Sequence, residues 1–176
     1  PLSDSSYGAS QKYLQNHTEE HKAYWDNYIS QIQTRIDLSG LYKSNVKLNQ
    51  YKHVIRSEEQ EFVVTENLLK SLKKLSQEEG VTLNSILQYI WHKVLSIYGN
   101  SSQTIVGTTV SGRNIPVDGI ENCVGLYINT LPLIVDHSEQ DIILAIRDIQ
   151  NNINEINSRS TQNLSKLQKG GERLFE

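Results

Sequence analysis

A chain of 176 residues with 37% hydrophobic content can build one good core, so a single domain is expected. Its net charge of −3, from seventeen Lys and Arg against twenty Asp and Glu, comes with no basic run longer than Lys73-Lys74. The electrostatic footprint of a nucleic-acid binder is therefore missing, and nucleic acid is excluded as a partner. No apolar stretch approaches the roughly 20 residues that span a bilayer, and no charged segment followed by an apolar one opens the chain, so no membrane partner is expected. The single cysteine, Cys123, can form neither an internal disulfide nor a cysteine metal site. A reducing compartment, the cytoplasm, follows as the expectation. The chain has no methionine and begins Pro1-Leu2-Ser3, which reads as a piece of something longer.

In chain order, Ser3 to Gly8 is polar and loop-like. Tyr24, Trp25, Tyr28, Ile29 and Ile32 then recur with the spacing of an amphipathic helix. His17 and His21, four apart near its start, could share a helical face for a metal. With no third ligand and with Asn16, Thr18, Glu19 and Glu20 around them, a solvated face is the better reading. Gly40 to Gln50 reads as a connection, and Tyr51 to Arg56 and Glu61 to Val64 as two short strands. Thr65 offers an N-cap, and the stripe Leu68, Leu69, Leu72, Leu75 stops at Gly80.

Thr82 opens the next helix, whose wide apolar face (Leu83, Ile86, Leu87, Ile90, Trp91, Val94, Leu95, Tyr98) predicts burial at the centre of the core, with Gly99 ending it. Gln103 to Val110 is a strand, Ser111 to Asn122 a loop, and Leu126 to Val135 a long strand. Ser138 with Asp141 forms a weak capping box for a helix marked by Ile142, Ile143, Ile146, Ile149, Ile153 and Ile156. Beyond Ser158 the pattern decays: Gly170-Gly171 breaks whatever Thr161 to Lys169 forms, and Leu174-Phe175 begins a further apolar element. The order α, β, β, α, α, β, β, α predicts an α/β (α+β) two-layer sandwich, a mixed β-sheet covered by helices.

The chemistry is less plain. Of the five histidines, His17 and His21 look solvated, His53 sits in a short strand, His92 flanks the apolar helix and His137 precedes a cap, so none is placed as a catalytic base. Cys123 has no base beside it and reads as a small core residue. Gly107, Gly112 and Gly119 are too widely spaced to cradle a phosphate. What exceeds plain structure is the polar content of the two late strands and their flanks. Thr108, Thr109, Ser111, Arg113, Asn129 and Thr130 lie in or beside runs apolar enough to be buried, so they staple a loop or face a ligand.

Val81-Thr82-Leu83-Asn84 leading a helix with Trp91, Gln103 to Arg113, Ile120-Glu121, and Val124-Gly125-Leu126-Tyr127-Ile128-Asn129-Thr130-Leu131-Pro132-Leu133 stand in an order and spacing that resembles the C-terminal half of the condensation domains of nonribosomal peptide synthetases. Ala23-Tyr24-Trp25 fits the same family, and the resemblance runs from the first helix to Phe175. It implies a fold similar to chloramphenicol acetyltransferase, two subdomains in a V with a tunnel between them, this chain being the second. The family's catalytic signature, His-His-x-x-x-Asp-Gly, belongs to the first subdomain. Here Asp118-Gly119 is preceded by Arg113 and Asn114 where the histidines would stand, so no catalytic residue is expected in this chain and inactivity alone is expected.

The implied reaction is amide formation between two carrier-bound thioesters. The implied partners are the N-terminal condensation subdomain and donor and acceptor peptidyl carrier proteins. Their phosphopantetheine arms enter the tunnel, and no cofactor or metal is bound directly. Asn129 is the implied positioning residue, able to orient a thioester carbonyl or amine, or else only to tie down its own strand end. Tyr127 stands with it on the tunnel wall. Ser111 and Arg113 are candidates for the same wall or braces of their loop, with Asp118 and Glu121 as partners for the guanidinium. The Tyr-Ile-Asn-Thr continuation favours condensation over the related epimerisation and heterocyclisation domains. A non-catalytic module that docks carrier proteins or its missing partner is the alternative, and both readings expect a large exposed apolar face.

Overall fold

The computed structural model describes residues 5–38, 59–138, 141–160, 162, 164–168 and 174–175. Two helices open it, α1 (Ser5–Asn16) and α2 (Thr18–Ser30), followed by α3 (Glu66–Glu79) and α4 (Leu83–Gly99). Strand β1 (Gln103–Val110) and strand β2 (Asn129–Asp136) flank a loop holding one 3-10 turn at Ile120–Asn122, and α5 (Ile142–Ser158) and a short α6 (Leu164–Leu167) complete the described part. The expected two-layer α/β arrangement is present. Among the described residues its sheet is a single antiparallel pair, running from Gln103 opposite Asp136 to Val110 opposite Asn129.

Cap chemistry sets both ends of α3 and α4 and the start of α5. The Thr65 hydroxyl accepts from Leu68 N at 3.4 Å, and Gly80 stops α3 in the left-handed conformation at φ 64°. Thr82 accepts from Ser85 N at 3.1 Å to start α4. The residue that stops α4 is Asn100 at φ 45°, one position beyond the expected Gly99. Gly99 stays helical with Ile36 packed against it, where a Cβ would stand 2.5 Å from Ile36 Cγ2. The cap of α5 is Asp141 rather than Ser138: its Oδ1 accepts from Ile143 N at 2.8 Å and Leu144 N at 3.1 Å. A charged acceptor at the immediate N-terminus outcompetes a serine three residues upstream.

The core lies where α2 and α5 meet the sheet. Trp25, Leu131, Leu133, Ile149 and Ile156 are sealed from solvent, each contributing roughly 1.5–3 kcal/mol of burial. A smaller cluster of Val81, Ile86 and Ile146 joins α4 to α5, with Leu72 and Leu75 of α3 against its rim. Polar side chains lock α2 to the strands. Trp25 Nε1 donates to Arg159 O at 3.0 Å, and the buried Tyr28 hydroxyl accepts from Ile134 N at 2.9 Å. The Gln103 amide accepts from Gln33 N at 2.9 Å and donates to Gln31 O at 3.1 Å.

Four further expectations need correction. Ser5 to Gly8 is helical, the first part of α1, because Tyr7 finds an aromatic partner and Ser10 is fully buried, its hydroxyl donating to Tyr7 O at 2.7 Å. Glu61 to Val64 forms no strand: it has no ladder partner among the described residues, and Phe62 and Val63 are exposed. Leu126 to Ile128 also lies outside the ladder, because β1 turns away at Ser111 once Val110 has paired with Asn129. Finally, α4 leaves much of its apolar face exposed. Ile86 and His92 face inward, while Leu87, Ile90, Val94 and Tyr98 face out with Trp91, which is 52% exposed. The described residues offer α4 only one strand pair and two helices to pack on, too little to cover both sides. Tyr51 to Arg56, His53 and Gly40 to Gln50 lie outside the described residues.

Candidate functional site

The two late motifs fold onto each other. Gly112 sits at φ 64°, and a Cβ there would collide with the carbonyl oxygen of Tyr127, so only glycine allows the Ser111-Gly112-Arg113 turn to lie under the Gly125-Leu126-Tyr127 segment. Gly112 N donates to Asn157 Oδ1 at 3.3 Å, tying the turn to the end of α5. Arg113 closes the loop from inside. Its Nη1 donates to Ile120 O at 2.5 Å and to Cys123 O at 2.9 Å, and its guanidinium lies 4.2 Å from the centre of the Tyr127 ring. Its partners are thus carbonyls and an aromatic face rather than the expected carboxylates of Asp118 and Glu121. A planar five-donor group can staple two carbonyls of a tight turn at once, and it does so here. Ser111 Oγ accepts from Arg113 N at 3.3 Å, holding the turn from its exposed side.

Tyr127 is gripped between helix and loop. Tyr7 of α1 meets its ring edge-on, centroids 5.6 Å apart at 75°, and the Arg113 guanidinium is its second neighbour. Both rings crowd Gly125, where a Cβ would come within 2.9 Å of Tyr7 and 3.0 Å of Tyr127. Asn129 then fastens the segment to the chain after α5. Its Nδ2 donates to Ser160 O at 2.6 Å and Gln162 O at 2.8 Å, and its Oδ1 accepts from Thr130 N at 2.8 Å. Both amide protons are spent on backbone carbonyls. Beside this junction a cleft of about 690 Å³ opens between α1, α2, the segment 126–129 and α6, with Gln15, Lys22, Trp25, Leu126, Asn129 and Lys166 on its walls.

The structure thus brings Ser111, Arg113, Tyr127 and Asn129 together as one braced junction at a cleft. It adds participants that sequence reasoning missed: Tyr7, Asn157 and the backbone carbonyls of Ser160 and Gln162. Tyr7, Ser10 and Leu14 carry helical spacing that could have exposed α1. Nothing local points from Asn129 to carbonyls more than thirty residues away.

The histidines divide. His17 is partly buried, its Nδ1 donating to Tyr13 O at 2.7 Å while its ring stacks on Tyr13 at 4.0 Å. His21 is buried, contrary to the expected solvated face, because α1 covers the start of α2. Burial lowers its pKa first, with His17 and Arg159 acting in the same direction and Glu20 opposing. His92 is fully enclosed rather than at a flank. Cys123 is buried, as expected of a small core residue. Among the described residues, no three His, Cys, Asp or Glu side chains are grouped to hold a metal. No described helix is long and apolar enough to cross a membrane.

The family model for the condensation domain matches residues 4–173. The chain belongs to the condensation-domain family of the nonribosomal peptide synthetases. The N-(5-amino-5-carboxypentanoyl)-L-cysteinyl-D-valine synthase of Amycolatopsis lactamdurans is 44% identical over 98% of the chain, and that of Penicillium chrysogenum 40% identical over 94%. Bacitracin synthase 1 of Bacillus licheniformis is 30% identical over 92% of it. The chain spans only 5%, 5% and 3% of these relatives' lengths. Among solved structures, the first condensation domain of the CDA synthetase superposes with a TM-score of 0.66 at 13% identity, over 96% of this condensation-domain chain and 37% of that one. The match shows the fold, so the chloramphenicol acetyltransferase-like arrangement expected of the family is the fold observed.

Proposed function

We propose that this chain is the C-terminal lobe of a condensation domain that joins two carrier-bound aminoacyl or peptidyl thioesters through a peptide bond, and that it supplies one wall of the substrate tunnel. The observation that carries the reading is the braced junction of the Ser111–Arg113 and Gly125–Asn129 motifs at the mouth of a cleft, in a chain of this family. Support for a one-lobe role comes from the 37% share of the CDA condensation-domain chain that it spans, and from its sequence, which contains no His-His pair ahead of Asp118-Gly119.

An acceptor α-amine with a pKa of about 7.7–8.0 is partly neutral near pH 7, so the wall's task is orientation more than proton removal. A cleft within the usual size of small-molecule sites, walled by apolar Leu126, Ile128 and Trp25 with Lys22, Lys166 and glutamines at its polar parts, suits a phosphopantetheine arm bearing a phosphate and amides. The arms belong to donor and acceptor carrier proteins, which are the proposed partners together with the N-terminal lobe.

Asn129 acts as a positioning residue. Its amide is consumed by Ser160 O, Gln162 O and Thr130 N, so it works by fixing where Tyr127 and Ile128 stand along the wall. In an intact synthetase with both carriers loaded, the dipeptidyl thioester should be detected by mass spectrometry, and a verified loaded complex that forms none would overturn the condensation reading. Asn129→Ala should slow product formation on the order of 10- to 100-fold, through misplacement of the wall. It should also cost about 1–3 kcal/mol of stability through the stranded carbonyls. A destabilised variant with unchanged turnover reduces Asn129 to scaffold.

A further inference from the structure

On the side of the sheet covered by α4, three side chains that the proposed reaction does not use form a continuous hydrogen-bond chain. His92, fully enclosed on α4, places Nδ1 2.5 Å from the Thr104 hydroxyl of β1. The same oxygen lies 2.9 Å from Nε2 of His137, the residue just past β2, whose ring is partly exposed. His137 N donates to Ser102 O at 2.8 Å, so the backbone carrying this ring is held. The far nitrogen of His92, Nε2, is buried and has no hydrogen-bond partner among the described residues.

A hydroxyl has one proton to give. If Thr104 donates to His137 Nε2, then His92 Nδ1–H donates to Thr104, and the buried Nε2 of His92 is a bare acceptor. If Thr104 donates to His92 Nδ1, then His137 Nε2–H donates to Thr104, and the neutral His92 must carry its proton on the buried, partnerless Nε2. Buried orphan N–H groups are rarer than under-satisfied acceptors, which favours the first arrangement while His137 is neutral. An imidazolium at His137 carries protons on both nitrogens and fits only the second.

We propose that Thr104 couples the two rings, so that charging His137 switches the buried His92 from its Nδ1–H to its Nε2–H tautomer. The Nδ1 proton of His92 passes to the Thr104 oxygen, and the Thr104 proton passes to His137 Nε2. The one proton taken up from solvent ends on His92 Nε2 during an opening of the seam between α4 and β1, leaving His92 neutral. Burial keeps His92 neutral, its pKa pushed down to about 3 with the neighbouring His137 acting in the same direction. The charged groups bearing on His137 are Lys93 of α4, which lowers its pKa after burial has done so, and Asp136 of β2, which raises it. Proton uptake at His137 therefore strands an N–H donor in the seam between α4 and β1. The position of α4, the helix that also carries the exposed Trp91 face, becomes sensitive to mild acid.

The test is nitrogen NMR of the histidine rings in the ¹⁵N-histidine-labelled intact protein from pH 8 to pH 5, with His92 assigned by His92→Gln. The bare nitrogen of His92 should be Nε2 at high pH and Nδ1 at low pH, with a midpoint equal to that of His137. In Thr104→Val, His137 should titrate while His92 stays in one tautomer, and in His137→Ala the His92 signals should be independent of pH. A His92 ring unchanged across the His137 midpoint in the unsubstituted protein overturns the coupling by itself. So does a His92 ring that still follows His137 in Thr104→Val.

Discussion

His92 sets a pH dependence that belongs to a single residue. Its pKa in the folded chain is about 3, against 6.5 when unfolded. Between those values the unfolded state binds more protons, so the stabilisation is complete above pH 6.5 and declines as pH falls towards 3, by up to about 1.4 kcal/mol per pH unit. His21 and His137, also lowered by burial, add loss of the same sign just below neutrality. Urea midpoints measured from pH 7.5 to 4.5 should drop steadily, and His92→Gln should flatten the curve relative to the unsubstituted protein. A flat profile in the unsubstituted protein would remove His92 from the account. None of this is visible in the sequence. His92 has polar Lys93 beside it and apolar neighbours a turn away, and its burial is decided by Thr104, a residue on another element.

At the scale of elements, legibility follows the range of the interaction. The ends of α3 were readable because Thr65 and Gly80 act on their own turns, and the strand at Gln103–Val110 because its β-branched run is local. α1 was hidden by a polar composition whose few packing residues meet partners more than a hundred positions away, Tyr7 on Tyr127 among them. The start of β2 was overextended because a run such as Leu126-Tyr127-Ile128 has strand composition whether or not a partner strand reaches it. The inverse holds for α4, whose apolar periodicity is real but exceeds what covers it. Ile86→Ala should cost about 2–5 kcal/mol, since its side chain is enclosed between α4 and α5. Leu87→Gln or Val94→Gln on the outer face should cost under about 1 kcal/mol in this chain. Denaturant titrations of the three variants check the contrast, and equal losses would mean that the outer face is covered in solution.

For the whole molecule, the junction at the cleft ties the beginning of the described chain to its end: α1 through Tyr7, the central loop through Arg113 and Tyr127, and the chain after α5 through Asn129. The sequence identified which motifs matter and the family they belong to, because both depend on residue type and order. It did not supply their mutual contacts, which depend on three-dimensional closure. The Tyr28 hydroxyl carries a similar long tie, and Tyr28→Phe should lower stability by about 1–3 kcal/mol, read from the thermal or urea transition, because it leaves the buried Ile134 N–H without an acceptor.

That bond also has a geometric meaning. Since Ile134 N turns towards Tyr28, the amide positions of matching parity along β2 point away from β1: Thr130 N is taken by the Asn129 side chain, and Pro132 has no proton to offer. Three successive donors on the outer side of β2 are thereby withheld from an incoming strand, one by a side chain next door, one by a pyrrolidine ring and one by a helix. A strand added to this sheet on that side would find acceptors without donors there, which favours joining on the flank of β1.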